Sequence, residues 1–160
     1  MTNNDATNNT TATINGPELI VTRTLSAPRE LVFKTWTDPE HLVHWWGPQG
    51  FTLTIHAIDV KPGGVWRYTM HGPDGTDYEN KISYIEVNRP ETLVYSHGDA
   101  EEDEQFRVNV TFADRGNQTE LTMRSLFKSA EYLEYVVKNY GAVEGAKQTL
   151  DRLAEELAKL

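Results

Sequence analysis

From Phe51 onward, apolar and polar positions alternate with a period of two. Phe51, Leu53, Ile55 and Ala57 are set against Thr52, Thr54 and His56, and then Trp66, Tyr68 and Met70 against Arg67, Thr69 and His71. Such alternation predicts antiparallel strands with one buried and one wet face. The same period runs through Tyr78 to Val87, Leu93 to His97, the set Phe106, Val108, Val110 and Phe112, and Leu121 with Met123. Pro73-Asp74-Gly75, Asn88-Arg89-Pro90 and Arg115-Gly116-Asn117 read as the turns between these strands.

Both flanks change period. Leu19, Val21 and the residues to Leu25 read as a first strand, followed by Ser26-Ala27-Pro28, where Ser26 supplies a cap and Pro28 the first helical turn. A helix is predicted to about Trp36, with Leu31, Val32, Thr35 and Trp36 on one face. Asp38-Pro39-Glu40 opens a second short helix carrying Leu42, Val43, Trp45 and Trp46, which Gly47-Pro48 stops. At the other end Val143, Ala146, Leu150, Leu153, Leu157 and Leu160 recur every three or four residues. Opposite them stand Lys147, Asp151, Arg152, Glu155 and Glu156, so a long amphipathic helix closes the chain. A helix through Tyr132, Leu133, Val136 and Val137 precedes it and breaks near Asn139 to Gly141.

Composition narrows what these elements can serve. The chain has 160 residues, 38% of them hydrophobic, enough for one domain with a real core. Residues 1–17 are Asn/Thr-rich with a single Ile14 and read as a disordered tail, leaving 18–160 as one domain. A net charge of -9 disfavours nucleic acid and anionic membrane surfaces, which need a basic footprint. Without cysteine there is no disulfide, thiolate metal site or cysteine nucleophile. No stretch has the pattern of a secretory signal or the length of a membrane span, so no membrane insertion and a cytoplasmic location are expected.

Several phrases add a family resemblance: Ala27-Pro28, Thr37-Asp38-Pro39-Glu40, Trp45-Trp46-Gly47-Pro48, Gly63-Gly64-Val65-Trp66-Arg67, Pro73-Asp74-Gly75, Leu93-Val94-Tyr95 and Leu150-Asp151-Arg152-Leu153. In this order they resemble the family named after the C-terminal domain of the activator of heat-shock-protein-90 ATPase. That family lies within the START / Bet v 1-like (SRPBCC, polyketide cyclase-like) superfamily. The resemblance covers Glu18 to Leu160. It implies an α+β helix-grip fold: a curved antiparallel sheet of about seven strands wrapped on a long C-terminal helix, with two short helices after the first strand. Many relatives open the last helix with Gly-Trp, where this chain reads Gly145-Ala146, so a roomier cavity is expected here.

Helix-grip relatives hold a hydrophobic cavity between sheet and last helix. Mapped onto that plan, the inward parity makes Trp66, Tyr68, Met70, Tyr84, Tyr95, His97, Phe106 and Val108 candidate walls, with Trp45 and Trp46 near an entrance. Each of these aromatics, taken alone, is ordinary core material; their concentration on one face is the argument for a cavity. Arg67 is the candidate polar handle, either for an anionic ligand group or in a structural salt bridge with Asp59 or Glu86. The histidines lack a ligand-spaced pair with a third acidic group, so no metal site is expected. No nucleotide or phosphate fingerprint is present, and no cofactor is expected. Asp99 to Glu104 reads as a solvated acidic hairpin loop.

Three functions stay open at this point. The first is binding or sequestration of a small lipophilic or aromatic molecule. The second is a cyclase- or hydrolase-like enzyme in which Tyr68, Tyr84, His97 or Arg67 orients a substrate and moves protons; no catalytic residue is assigned. The third, which the family name implies, is partnership with a heat-shock ATPase. The eukaryotic activator carries a further domain ahead of this one, where here only the short tail stands. The mouth tryptophans also suit burial against a second copy, a homodimer. Fold alone does not choose among these.

Overall fold

Eight strands form one antiparallel sheet in the order β1-β2-β8-β7-β6-β5-β4-β3, in a computed structural model that describes residues 10–99 and 104–160. The strands are β1 (Thr11–Asn15), β2 (Glu18–Leu25), β3 (Thr52–Ile58), β4 (Val65–His71), β5 (Asp77–Asn88), β6 (Thr92–Gly98), β7 (Phe106–Arg115) and β8 (Gln118–Phe127). Helices α1 (Arg29–Thr37) and α2 (Pro39–Trp45) follow β2, and α3 (Ala130–Tyr140) and α4 (Ala142–Leu157) follow β8. This is the helix-grip arrangement. One apolar sheet face must be covered, and here the helices cover it from two sides.

The tail expectation needs correction. Thr11–Asn15 is a strand, in register with β2 from Thr11↔Thr22 to Asn15↔Glu18. The two strands are joined by Gly16-Pro17, with Gly16 at φ 61° in the left-handed region that glycine tolerates. Asn15-Gly16 is itself a hairpin signal, outweighed in the sequence by the polar composition around it. β1 is the eighth strand beyond the expected seven, and residues 1–9 lie outside the described residues.

The helix starts also differ in detail. Pro28, not Ser26, is the cap of α1, and no side chain caps that helix. Asp38 does cap α2, its carboxylate accepting from the Glu40 backbone N–H, with Pro39 in the first turn. Between α3 and α4 a single residue, Gly141 at φ 62°, ends one helix and begins the next. Gly145 leaves α4 unbroken.

The core lies between the sheet and the helices. Phe33, Trp36, Leu42, Trp45, Trp66, Phe112 and Leu121 are fully buried beneath α1 and α2, and Leu150, Leu153 and Leu157 of α4 continue that core. The polar stripe of α4 does not simply face water. Asp151 pairs with Arg23 of β2, which is 1% exposed and also donates to Thr10. Glu156 is buried and meets His41 Nδ1 at 3.4 Å. Side chains that the periodicity assigned to solvent therefore pin the last helix to β2 and α2. No described helix is long and apolar enough to cross a membrane.

Candidate functional site

The site grows from the inward parity of the middle strands. β4 sends Tyr68 and Met70 inward, β5 Tyr78 and Asn80, β6 Tyr95 and His97, β7 Phe106 and β8 Met123. Over them passes the first half of α4, which offers only Gly145, Ala146 and Thr149. The loop after α2 adds Trp46, Gly47, Pro48 and Phe51. Large side chains rising from the sheet toward small ones on the helix leave a cavity of about 460 Å³, within the range of small-molecule sites.

A second chamber of about 570 Å³ opens beside it under α3. Its walls include Leu19, Glu79, Asp99, Gln105, Phe127, Tyr132, Tyr135 and Val136. Tyr78, Asn80, Phe106, Met123, Tyr140 and Ala146 line both spaces, so the two are neighbours.

The loop bearing Trp46 is held by the last helix. Arg152 Nη1 donates to the carbonyls of Gly47 at 2.9 Å and Pro48 at 3.0 Å, and Nη2 donates to His44 O at 3.2 Å. Carbonyls gathered on one guanidinium are firmly oriented, because a charged donor strengthens each bond. Gly47 has φ 103°, a conformation that calls for glycine, while a Cβ there would meet only the movable end of the Met70 side chain, at 2.3 Å from Cε. Gly145 approaches the same loop, its Cβ direction meeting Pro48 Cγ at 3.6 Å.

One polar cluster interrupts the apolar lining. Trp46 Nε1 donates to the Tyr68 hydroxyl at 3.1 Å; His97 Nε2 lies 3.2 Å from that oxygen and 3.2 Å from Asn80 Oδ1. Burial pushes the Tyr68 phenol well above its ordinary range, so it stays protonated. Burial also lowers His97 to about 4, so the imidazole is neutral near pH 7. Two tautomers fit this geometry. With the proton on Nδ1, Nε2 accepts from Tyr68. With the proton on Nε2, His97 donates to Asn80, and the Tyr68 hydrogen is left to serve a ligand oxygen.

Of the candidate residues, Trp46, Tyr68, Met70, Tyr95, His97 and Phe106 line the cavity. Trp45, Trp66, Tyr84 and Val108 do not: they are buried in the solid core behind it, Trp45 donating its indole N–H to Thr35 O at 3.1 Å. Trp66 Nε1 is buried there without a hydrogen-bond partner. Trp45 is turned away because α2 ends at that residue, sending its ring against Trp36 at 5.0 Å, whereas Trp46 lies in the loop and faces the sheet. Arg67 is exposed on the outer sheet face, opposite Lys81, and is no handle for this cavity; Asp59 pairs with Lys61 instead.

The sequence reading missed Asn80, Met123, Tyr78, Tyr140 and the clamp Arg152. Asn80 was findable, since a polar residue at an inward position between Tyr78 and Ile82 asks for a buried partner. Arg152 carried no such signal, because its helical phase is polar. Among the described residues no group of His, Asp and Glu is arranged to hold a metal. Of the acidic run, Asp99 accepts from Gln105 at 3.0 Å and Glu104 from Arg107, while 100–103 lie outside the described residues.

Comparison with known proteins places this frame. The profile of the family described as activator of Hsp90 ATPase homolog 1-like protein matches residues 26–158. Among solved structures, the chain is similar to protein Ms6760 from Mycobacterium smegmatis, at 26% identity over 94% of this chain and 96% of that one, with a TM-score of 0.83. A protein from Arthrobacter aurescens matches at 22% identity over 94% and 92%, TM-score 0.85. The AHSA1 protein from Silicibacter pomeroyi matches at 22% over 88% and 97%, TM-score 0.70. No curated protein matches at a significant level.

Proposed function

The chain belongs to the activator of Hsp90 ATPase homolog 1-like family, and from that premise we propose that it binds or sequesters a small lipophilic molecule in the cavity between β4–β8 and α4. The observation that carries this reading is the mismatch of side-chain size across the cavity. Tyr68, Met70, His97, Phe106 and Met123 face Gly145, Ala146 and Thr149, and a space of about 460 Å³ remains between them. Apolar walls with one hydrogen-bonding cluster bind an apolar body and fix its orientation through a single oxygen.

Native mass spectrometry of the purified protein, before and after incubation with a pooled lipophilic extract, tests this. A stoichiometric adduct is expected. Ala146→Trp, which restores a large ring at the opening of the last helix, is expected to abolish it while the protein stays folded. An adduct equally abundant in that variant would remove this cavity as the site. No adduct in the wild type would bring forward a pull-down with a heat-shock ATPase, the partner the family's name suggests.

A second reading is enzymatic, favoured by the 3.2 Å contact between the Tyr68 hydroxyl and a neutral His97. That pair can pass a proton to or from a bound oxygen. Turnover lost in His97→Gln with ligand uptake retained would separate it from plain binding.

A further inference from the structure

Asn80 selects between the two tautomers open to His97. Its Nδ2 lies 3.1 Å from the Tyr78 carbonyl oxygen, which can only accept, so that nitrogen donates and Oδ1 is the atom turned to His97. An amide oxygen is likewise only an acceptor. His97 Nε2, 3.2 Å from it, must therefore carry the ring proton. It then cannot accept from Tyr68, whose hydroxyl oxygen already takes the Trp46 indole N–H. Among the described residues, the Tyr68 hydrogen is left without an acceptor.

Tyr95 supplies a second unused hydroxyl. It lines the cavity and is 1% exposed, and none of the described residues hydrogen-bonds its oxygen. Among the described residues, the side-chain polar atoms sealed off without a partner are Arg23 Nε and Trp66 Nε1. The Tyr95 hydroxyl is not one of them, so it opens on the cavity that the residue lines. Burial and the neighbouring Tyr68 and Tyr84 phenols hold it well above the ordinary phenol range, so it too stays a donor. Thr149 adds no donor, because its hydroxyl hydrogen goes to Gly145 O at 2.9 Å. His97 Nδ1 remains an acceptor, on the ring edge that diverges from Tyr68.

Two buried donors without acceptors cost the empty protein stability and favour a ligand that brings the missing oxygen. Among the described residues no Asp, Glu, Lys or Arg lines this cavity, and His97 is neutral. A carboxylate or an ammonium would be stripped of water here with no opposite charge to meet it. A plain hydrocarbon would leave both hydroxyls unmet. We propose that the cavity takes an uncharged lipophilic carbonyl compound, a ketone or an ester, whose carbonyl oxygen accepts from Tyr68, with the Tyr95 hydroxyl as a second donor to the same ligand. Asn80 is a positioning residue: it holds the His97 proton on Nε2, so that the Tyr68 hydrogen stays available. This rests on the cavity reading above and names the class of its ligand.

Two neutral fluorescent probes separate the two levels. N-phenyl-1-naphthylamine, which has no carbonyl, reports whether the full-length protein binds an apolar body at all; prodan, a naphthyl ketone, reports recognition of the carbonyl. Prodan is expected to bind, and Tyr68→Phe and Tyr95→Phe are each expected to weaken it at least about threefold more than they weaken the carbonyl-free probe. Anilinonaphthalene sulfonate, the charged counterpart of that probe, is expected to bind at least about tenfold more weakly than it does. Heteronuclear NMR of the imidazole nitrogens in the free protein is expected to find the His97 proton on Nε2. Asn80→Leu is expected to move it to Nδ1, with a selective loss of prodan. Binding of N-phenyl-1-naphthylamine without prodan, equal weakening of both probes in both folded phenylalanine variants, sulfonate binding as tight as its neutral counterpart, or a wild-type proton on Nδ1 overturns this inference and leaves the cavity reading intact. Binding of neither neutral probe overturns both. If a phenylalanine variant does not fold, the wild-type tautomer decides.

Discussion

The two halves of the last helix treat the same sheet in opposite ways. Toward its C-terminus α4 buries Leu150, Leu153 and Leu157 in the same core as Trp45 and Trp66, none of which borders the cavity. Toward its N-terminus the same helix offers Gly145, Ala146 and Thr149, and the sheet's aromatic side chains end in a cavity. Large side chains of the sheet meet only small ones on this part of the helix, so the cavity is made by what is missing from the helix. Protein interiors are close-packed as a rule, and such a gap persists only if the surrounding frame resists collapse. Arg152 and the Gly47 turn supply part of that resistance by fixing the loop at the cavity's rim.

Substitutions in the two halves should therefore diverge, and the solid half should give the largest effect. Trp45→Ala removes a fully buried ring and its bond to Thr35 O, and is expected to cost about 3–5 kcal/mol in chemical denaturation. A cost below about 1 kcal/mol, as for a ring that merely edges an open space, would erase the contrast between the halves.

Next in size is the pH response of the cavity's polar cluster. His97 titrates near 6.5 in an unfolded chain and at about 4 in the fold, so on acidification the unfolded state takes up the proton first. Its contribution is fully present above about 6.5 and is lost as pH falls from there toward about 4. The full loss amounts to on the order of 3 kcal/mol. Denaturation curves between those limits should be distinctly flatter in His97→Gln than in the wild type. Parallel curves for the two proteins would mean that His97 is solvated rather than held dry beside Tyr68.

The smallest expected effect comes from the open half. Gly145→Ala adds a methyl that meets Pro48 Cγ at 3.6 Å, an ordinary contact, within a helix that glycine weakens. A gain of about 0.5–1 kcal/mol in thermal or chemical stability is expected. A loss would show that the loop over α4 is packed more tightly than the distance implies.

How far each region could be read in advance follows from the kind of signal it carries. The strands from β3 to β8 were legible because burying one face imposes a period of two, and α4 because its leucines keep a helical step. The first strand was masked by its own composition: Thr11, Thr13 and Asn15 look like a polar tail, and only pairing with β2 gives them structure. Asp151 and Glu156 look equally solvent-bound in one dimension; their partners Arg23 and His41 are 128 and 115 residues away.

The candidate site divides along the same line. Tyr68, Tyr95, His97 and Phe106 reached the cavity because strand parity sets which face a side chain takes. That parity could not tell them from Trp66, Tyr84 and Val108, which share the face and lie in solid core. The difference depends on which part of a distant helix passes overhead, and no local pattern records that.

The sequence by itself determined the order of strands and helices from β2 onward, the buried parity of the sheet and the absence of cysteine chemistry, because each follows from residue types and their spacing. Tertiary structure alone decided that Gly145 and Ala146 stand opposite Tyr68 and His97, that Arg152 holds the rim, and that Arg67 faces away. A cavity is a relation between surfaces far apart in the chain, and it exists only once they are brought to face each other.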